Sequence, residues 1–239
     1  MKLVTFDFWN TLFLDQDEGV RQEKRKLFAL NILRKYHSAI EAEHFDRAFK
    51  VADSVFNRQW DDRKATTMTL HVNETLNALE AKLPADDLSD IIQYFETILL
   101  QHPPKAIPNA LEAIHYAATR AKVGIISDTG YSPGTTLKQI LVNHGVGECI
   151  HSFSFSNETG LLKPNAECFW TILRHLNVKP EEAVHVGDLE NTDIAGAKAI
   201  GMKAIKYIGS NPTESRKSIA DAVIDDMAEV PAILNGWGF

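Results

Sequence analysis

Apolar and polar positions along the chain follow two regimes. In the first, short runs rich in valine, isoleucine and phenylalanine alternate with helix-length segments. In the second, helix-like spacing continues without a strand between. Residues 2–6 read as a first strand, and further strand-like runs fall at 123–127, 149–155, 183–187, 204–208 and 222–224. Helix-length patterns lie between them at 109–120, 134–144, 166–176 and 192–200. Strands alternating with helices predict an α/β fold with a parallel sheet covered on both faces.

The second regime runs from about residue 17 to about residue 102. Leu27, Leu30 and Leu33 suit one helix, and Phe45, Phe49, Ala52 and Phe56 suit another; residues 67–83 and 88–100 supply two more. Four consecutive helices can bury their apolar stripes against one another. His102-Pro103-Pro104 marks the return, because proline disfavours helix continuation. The expected organisation is a core of residues 1–13 and 103–239, with a helical cap inserted at 14–102.

Polar residues collect where the predicted strands end. Asp7 and Thr11 follow the first, Ser127 and Asp128 the second, Lys163 the third, and Gly187-Asp188 the fourth. Ligands of open parallel sheets bind beyond the carboxyl ends of the strands, so these side chains converge if the sheet is parallel. Carboxylates gathered around one ammonium make a metal and anion site. Each residue also suits a plainer role. Asp7 could cap a turn, Ser127 end a strand, and Asp188 and Asp193 start a helix. Lys163 could be a surface lysine, and Asp128 could cap the turn Asp128-Thr129-Gly130.

Taken in register, the segments resemble the haloacid dehalogenase-like superfamily of hydrolases. Phe6-Asp7-Phe8-Trp9-Asn10-Thr11-Leu12 is similar to its first motif, commonly Asp-x-Asp-Gly-Thr, and Ile125-Ile126-Ser127 to its second. Gly160-Leu161-Leu162-Lys163-Pro164 looks like the third, and Gly187-Asp188 with Asp193 like the fourth. The resemblance covers nearly all of the chain outside the cap and implies a Rossmann-like core. It also implies roles: Asp7 as a nucleophile forming an aspartyl intermediate, and Lys163 and Ser127 stabilising the transferred group. Thr11 would brace the first loop. Asp7, Asp188 and the Trp9 backbone carbonyl would ligate Mg²⁺, with Asp193 holding metal-bound water or orienting Lys163. Hard oxygen donors suit Mg²⁺ better than zinc.

Trp9 departs from the pattern. Phosphatases of the superfamily commonly carry a second aspartate there, which protonates the leaving group and later activates water. An indole N–H does neither. The superfamily's dehalogenases often have an aromatic residue at this position, but they work without metal, whereas this chain keeps Asp188 and Asp193. The expected function is therefore Mg²⁺-dependent hydrolysis of a small phosphorylated metabolite, slowed by Trp9. The alternatives are a carbon–halogen hydrolase and a non-catalytic ligand-binding protein. A phosphonate-type hydrolase with a cap lysine is a third, and no lysine of the cap stands out for it. Asn10 replaces the usual glycine, which is tolerable because asparagine visits left-handed backbone readily. Asp128 stands where asparagine is frequent, a place from which it could replace the missing proton donor.

Bulk properties narrow the partners. With 239 residues, 44% hydrophobic and 24% charged, the chain is an ordinary globular sequence. No apolar run reaches the roughly 18 residues of a bilayer span. The first residues read as a strand rather than a leader, so a cytoplasmic location is the expectation. With 25 basic and 32 acidic side chains the net charge is −7, which argues against nucleic acid. A phosphorylated metabolite remains compatible, since one cation and one lysine reverse the potential locally. Cys149, expected in a strand, and Cys168, expected in a helix, read as structural thiols. His185 reads as a hydrogen-bonded core residue, and Trp60, Trp170 and Trp237 as packing residues. Arg21, Arg25 and Arg58 could read an anion or lie on solvated helix faces.

Overall fold

The computed structural model describes residues 2–211 and 216–239. The chain opens with β1 (Leu3–Phe6) and a short β2 (Phe13–Leu14). Four helices follow: α1 (Glu18–Leu33), α2 (Ala42–Asp61), α3 (Met68–Ala78) and α4 (Ala85–Thr97), the last continued by a 3₁₀ turn at Ile98–Leu100. The chain returns through β3 (Lys105–Ala106), α5 (Ala110–Ala118), β4 (Lys122–Ser127), α6 (Gly134–Asn143) and β5 (Ser152–Phe155). It closes with α7 (Ser156–Thr159), α8 (Ala166–Leu176), β6 (Ala183–Gly187), α9 (Ala195–Ala199), β7 (Lys203–Tyr207), β8 (Ala222–Ile224) and α10 (Val230–Gly236).

Six strands form one parallel sheet in the order β5-β4-β1-β6-β7-β8. The chain winds from β1 outward through β4 and β5, then crosses back to lay β6 against the other side of β1. The order therefore reverses at the carboxyl end of β1, where α/β sheets open a ligand crevice. Strands covered on both faces carry near-continuous apolar runs, and every residue of β1 and β6 is buried. Alternate side chains feed opposite layers. Val4, Phe6, Val184 and Val186 pack in one cluster with Ile114, Leu137, Ile140 and Leu234. Leu3 and Ala183 face the other cluster, with Phe169, Ile172 and Ile194.

The helices α1–α4 have a hydrophobic cluster of their own, built on Leu30, Leu33, Phe45, Phe49, Val72 and Phe95. The stripe expected on α2 is buried as predicted at Phe45, Phe49, Ala52 and Phe56. On α1, Leu30 and Leu33 are buried as predicted, but Leu27 is 58% exposed and the buried face continues through Arg21, Arg25 and Ala29. A spacing of three drifts off one face of a helix with 3.6 residues per turn, whereas a spacing of four stays closer to it. The two chain crossings between helices and sheet are zipped by β2 and β3, antiparallel with Phe13 opposite Ala106 and Leu14 opposite Lys105. Two-residue strands have no periodicity to read, so the sequence did not predict them.

Three boundaries differ from expectation. Cys149 lies in a 3₁₀ turn at Gly147–Cys149, and the strand starts only at Ser152, because Cys149 and Ile150 donate their N–H groups back to Val146 and Gly147. The segment expected as one helix from 192 begins as a π-helical turn, Glu190–Ile194, before α9. The third helix ends at Ala78, and the backbone turns through Glu80 at φ 51°. Among the described residues, no helix is long and apolar enough to cross a membrane.

Phe95 is 1% exposed and joins α4 to the separate helical cluster. Phe95→Ala is expected to cost about 3–5 kcal/mol, typical of a large ring deleted from a core. Urea unfolding with an unchanged m-value checks this.

Candidate active site

Asp7 follows β1 directly. Its N–H donates to the Val186 carbonyl of β6 at 2.9 Å, which holds its backbone at the reversal point of the sheet. The Lys163 ammonium donates to Asp7 Oδ1 at 2.7 Å, to Asp193 Oδ1 at 2.6 Å and to the Ile126 carbonyl at 3.3 Å. All three side chains are buried. Lys163 is placed by its backbone too, because its N–H donates to Asp128 Oδ1 at 3.0 Å. Asp128 thus ties the loop after α7 to the end of β4 across 35 residues, rather than capping its own turn.

Asp193 is committed on both oxygens. Oδ1 accepts from Lys163 and from His185 Nε2 at 3.1 Å, and Oδ2 accepts from the Leu189 N–H at 3.1 Å and the Thr192 hydroxyl at 3.3 Å. Of the two roles expected for it, these contacts are those of a residue that holds Lys163 in place. His185, fully buried as a hydrogen-bonded core residue, links Asp193 to Thr5, whose hydroxyl lies 2.9 Å from Nδ1. Gly187 lets Asp193 pack this closely: a Cβ at residue 187 would meet the Asp193 side chain at 2.4 Å.

Carboxylate oxygens of Asp7, Asp188 and Asp193 can approach within 4.8 Å of one another. Burial, then the Asp7 and Asp193 charges, raise Asp188 to about 8. Burial raises Asp7 to about 6 against the opposing pull of Lys163. Burial works the same way on Asp193, but Lys163 and His185 hold it below the usual carboxylate range. Burial would lower Lys163, yet Asp193 and Asp7 keep it well above the ordinary lysine value. Two acids whose ionisation is opposed, beside a third that ionises readily, make a donor set that fits a hard divalent cation. Asp7 and Asp188 are the residues with oxygens to offer it.

The other expected residues fall in two groups. Trp9 and Asp128 line a crevice of about 370 Å³ together with Asp7, Lys163, Asp188 and Asp193. Asn10 lines it as well and adopts the left-handed backbone expected of it, with φ 56°. Ser127 and Thr11 lie just behind that wall, and neither hydroxyl has a hydrogen-bond partner among the described residues. Arg21 and Arg25 are each 1% exposed and line the crevice, so they are not on a solvated helix face. Arg58 is exposed and does not line it. Asp15, Glu18, Trp60 and Tyr131 also line the crevice without having been singled out for it. A polar stripe at 18, 21 and 25, continuous with the buried face of α1, was the readable signal for the acids.

Sheet, crossover and carboxylate–lysine crevice are those of a Rossmann-like α/β fold whose strand order reverses beside β1. The chain belongs to the haloacid dehalogenase-like hydrolases, whose family profile matches residues 1–201. It is 35% identical over 121 residues to the glyceraldehyde 3-phosphate phosphatase of Methanothermobacter thermautotrophicus, a match spanning 47% of this chain and 51% of that protein. The chain thus spans about half the length of that relative. The enzyme of the same name from Methanocaldococcus jannaschii is 29% identical over 192 residues, 78% of this chain and 80% of that one. Among solved structures, the 2-haloacid dehalogenase of Pseudomonas syringae pv. Tomato DC3000 superposes with a TM-score of 0.69 at 24% identity, covering all of both chains. A HAD phosphatase from Thermococcus onnurineus gives 0.67 at 23% identity over 99% of each. Similarity at that identity establishes a shared fold.

A carboxyl raised on folding contributes stability below its unfolded value and loses it as pH rises through its folded one. Asp7 and Asp188 therefore cost stability progressively between about pH 4 and pH 8. Asp193, shifted the other way, is fully ionised in both states above about pH 5 and adds no slope there. In EDTA the melting temperature should fall from pH 5 to pH 9. Mg²⁺ and Asp188→Asn should each flatten the fall; a rise over this range would contradict the assignment.

Proposed function

We propose that this hydrolase is a Mg²⁺-dependent phosphatase of small phosphorylated metabolites, with Asp7 as its nucleophile. The observation that carries the reading is the cluster of Asp7, Asp188 and Asp193 around Lys163, where Asp188 reaches about 8 without a cation. A metal-free displacement of halide has no use for such an acid. The phosphatase names of the relatives point the same way. Mg²⁺ would be held by Asp7 and Asp188 with the Trp9 carbonyl, and when bound it offsets negative charge on carboxylates and phosphoryl oxygens.

The chain's own groups divide the remaining work. A carboxylate oxygen of Asp7 attacks phosphorus, the bond from phosphorus to the ester oxygen breaks, and the substrate's alcohol departs. Lys163, fixed by Asp193 and by the Asp128 anchor of its backbone, neutralises charge on the transferred group. The unpartnered hydroxyl of Ser127 is a buried donor that a phosphoryl oxygen can satisfy. Thr11, equally buried, braces the turn that carries Trp9 and Asn10. Water then attacks the aspartyl-phosphate, returning the Asp7 carboxylate and free phosphate. The residues at 14–102 act as a cap that covers these steps and restricts the access of water without sealing the crevice.

Trp9 is the weak point of this machinery. Its N–H supplies no proton to the departing oxygen and removes none from water, so both must come from and go to solvent. Activated esters tolerate that, and alkyl esters do not. Trp9 also favours a second reading, carbon–halogen hydrolysis, in which the leaving halide needs no proton.

Phosphate release from p-nitrophenyl phosphate should require Mg²⁺, stop in EDTA and vanish in Asp7→Asn. Metal-independent chloride release from a 2-chloroacid with no phosphate release would select the second reading. Trp9→Asp should accelerate alkyl phosphate hydrolysis by roughly 10²-fold, the lower end of the range for a restored acid–base group. No gain in a well-folded variant would show that protonation does not limit the rate.

A further inference from the structure

The cap side of the crevice is built around two buried guanidiniums whose charge is already spent. Arg21 donates through Nη2 to Asp15 and to Glu18 Oε2 at 2.9 Å, and through Nη1 to the His102 carbonyl at 3.1 Å. Arg25 donates through Nη1 to Glu18 Oε1 at 2.9 Å, and through Nε and Nη2 to the Phe95 carbonyl at 3.3 and 3.2 Å. Its guanidinium also lies 5.0 Å from the centre of the Tyr131 ring. Glu18 is thus shared between both arginines. The side chains of Asp15 and Glu18 are 33% and 43% exposed, while those of the arginines are 1%. The wall therefore turns its carboxylates, not its guanidiniums, toward an incoming molecule.

A ligand carrying a second negative group would meet Asp15 and Glu18 on this wall, and taking the place of either on its arginine would leave the displaced acid beside it. Like charges at close quarters repel, and a broken buried pair leaves a charge uncompensated. What the crevice offers in place of a cation is apolar surface: the indoles of Trp9 and Trp60, and Leu99, all line it. Trp60 is stacked on Phe56, with centroids 6.2 Å apart and planes 12° from parallel, which restrains its ring.

We propose that the crevice selects phosphate monoesters whose leaving group is uncharged and presents an apolar or aromatic face, and that the Asp15–Arg21–Glu18–Arg25 cluster excludes esters carrying a second anion. The substrate class rests on the phosphatase reading given above, but the selectivity of the wall is measurable by binding alone.

The probes are phenylphosphonate and 4-carboxyphenylphosphonate, which resist hydrolysis, titrated calorimetrically into the full-length protein with Mg²⁺. Wild type should bind phenylphosphonate at least tenfold more tightly. Glu18→Gln, which removes the carboxylate shared by both arginines, should shrink that ratio at least threefold by improving binding of the carboxylated probe. Asp15→Asn should shift it in the same direction, and serves if Glu18→Gln does not fold. Equal or tighter binding of the carboxylated probe to wild type overturns the proposal, as does an unchanged ratio in folded variants or binding of neither probe. A tenfold preference without turnover of phenyl phosphate would leave the selectivity standing and remove the phosphatase reading. Turnover with the reverse preference would do the opposite.

Discussion

Lys163 places one ammonium 2.7 Å from Asp7 and 2.6 Å from Asp193, with all three side chains buried. Burying charge is tolerable only when each ion is paired and its remaining hydrogen-bonding capacity is filled. The surroundings of this triad read as the answer to that demand. His185, Thr192 and the Leu189 N–H occupy Asp193, the Ile126 carbonyl takes a further donor of Lys163, and Asp128 anchors the lysine's backbone. The constraint reaches into the sheet through His185 and Thr5, which face each other on paired strands. It also dictates glycine at 187, where any side chain would collide with Asp193.

The same arrangement leaves the crevice electrostatically incomplete. One ammonium serves three neighbouring carboxylates, and burial, seconded by the surplus of negative charge, raises the affinities of Asp7 and Asp188 for protons. On the proposed phosphatase reading, a divalent cation and a phosphoryl group would restore the balance together, since each supplies charge that the other needs. On the cap side the balance is already complete within the protein, where two arginines face Asp15 and Glu18. One crevice thus has a core half that calls for charged ligands and a cap half that does not. Trp9 lines the crevice as well and adds apolar surface to it.

The sheet and the crevice were legible along the chain for a simple reason. Doubly covered parallel strands need continuous apolar runs, and the residues just after them are where polar groups escape the core. Asp7 and Asp188 stand directly after such runs and Lys163 and Asp193 about a helical turn or two further on, and a parallel sheet brings all four to one edge. The left-handed turn at Asn10 was readable in the same way, from the backbone tolerance of one residue type.

What lay outside the sequence's reach depends on contacts between distant segments. Nothing local says that Asp128 anchors a backbone 35 residues away, or that Asp193 spends both oxygens on its neighbours. Arg21 and Arg25 look like ordinary solvated helix positions until α1 is laid against the carbonyls of His102 and Phe95. Secondary structure and motif order are encoded by periodicity and by residue type, which a chain carries in its own sequence. Partnership between buried charges is decided only when the packed elements bring particular atoms within hydrogen-bond distance and exclude the water that would otherwise serve them.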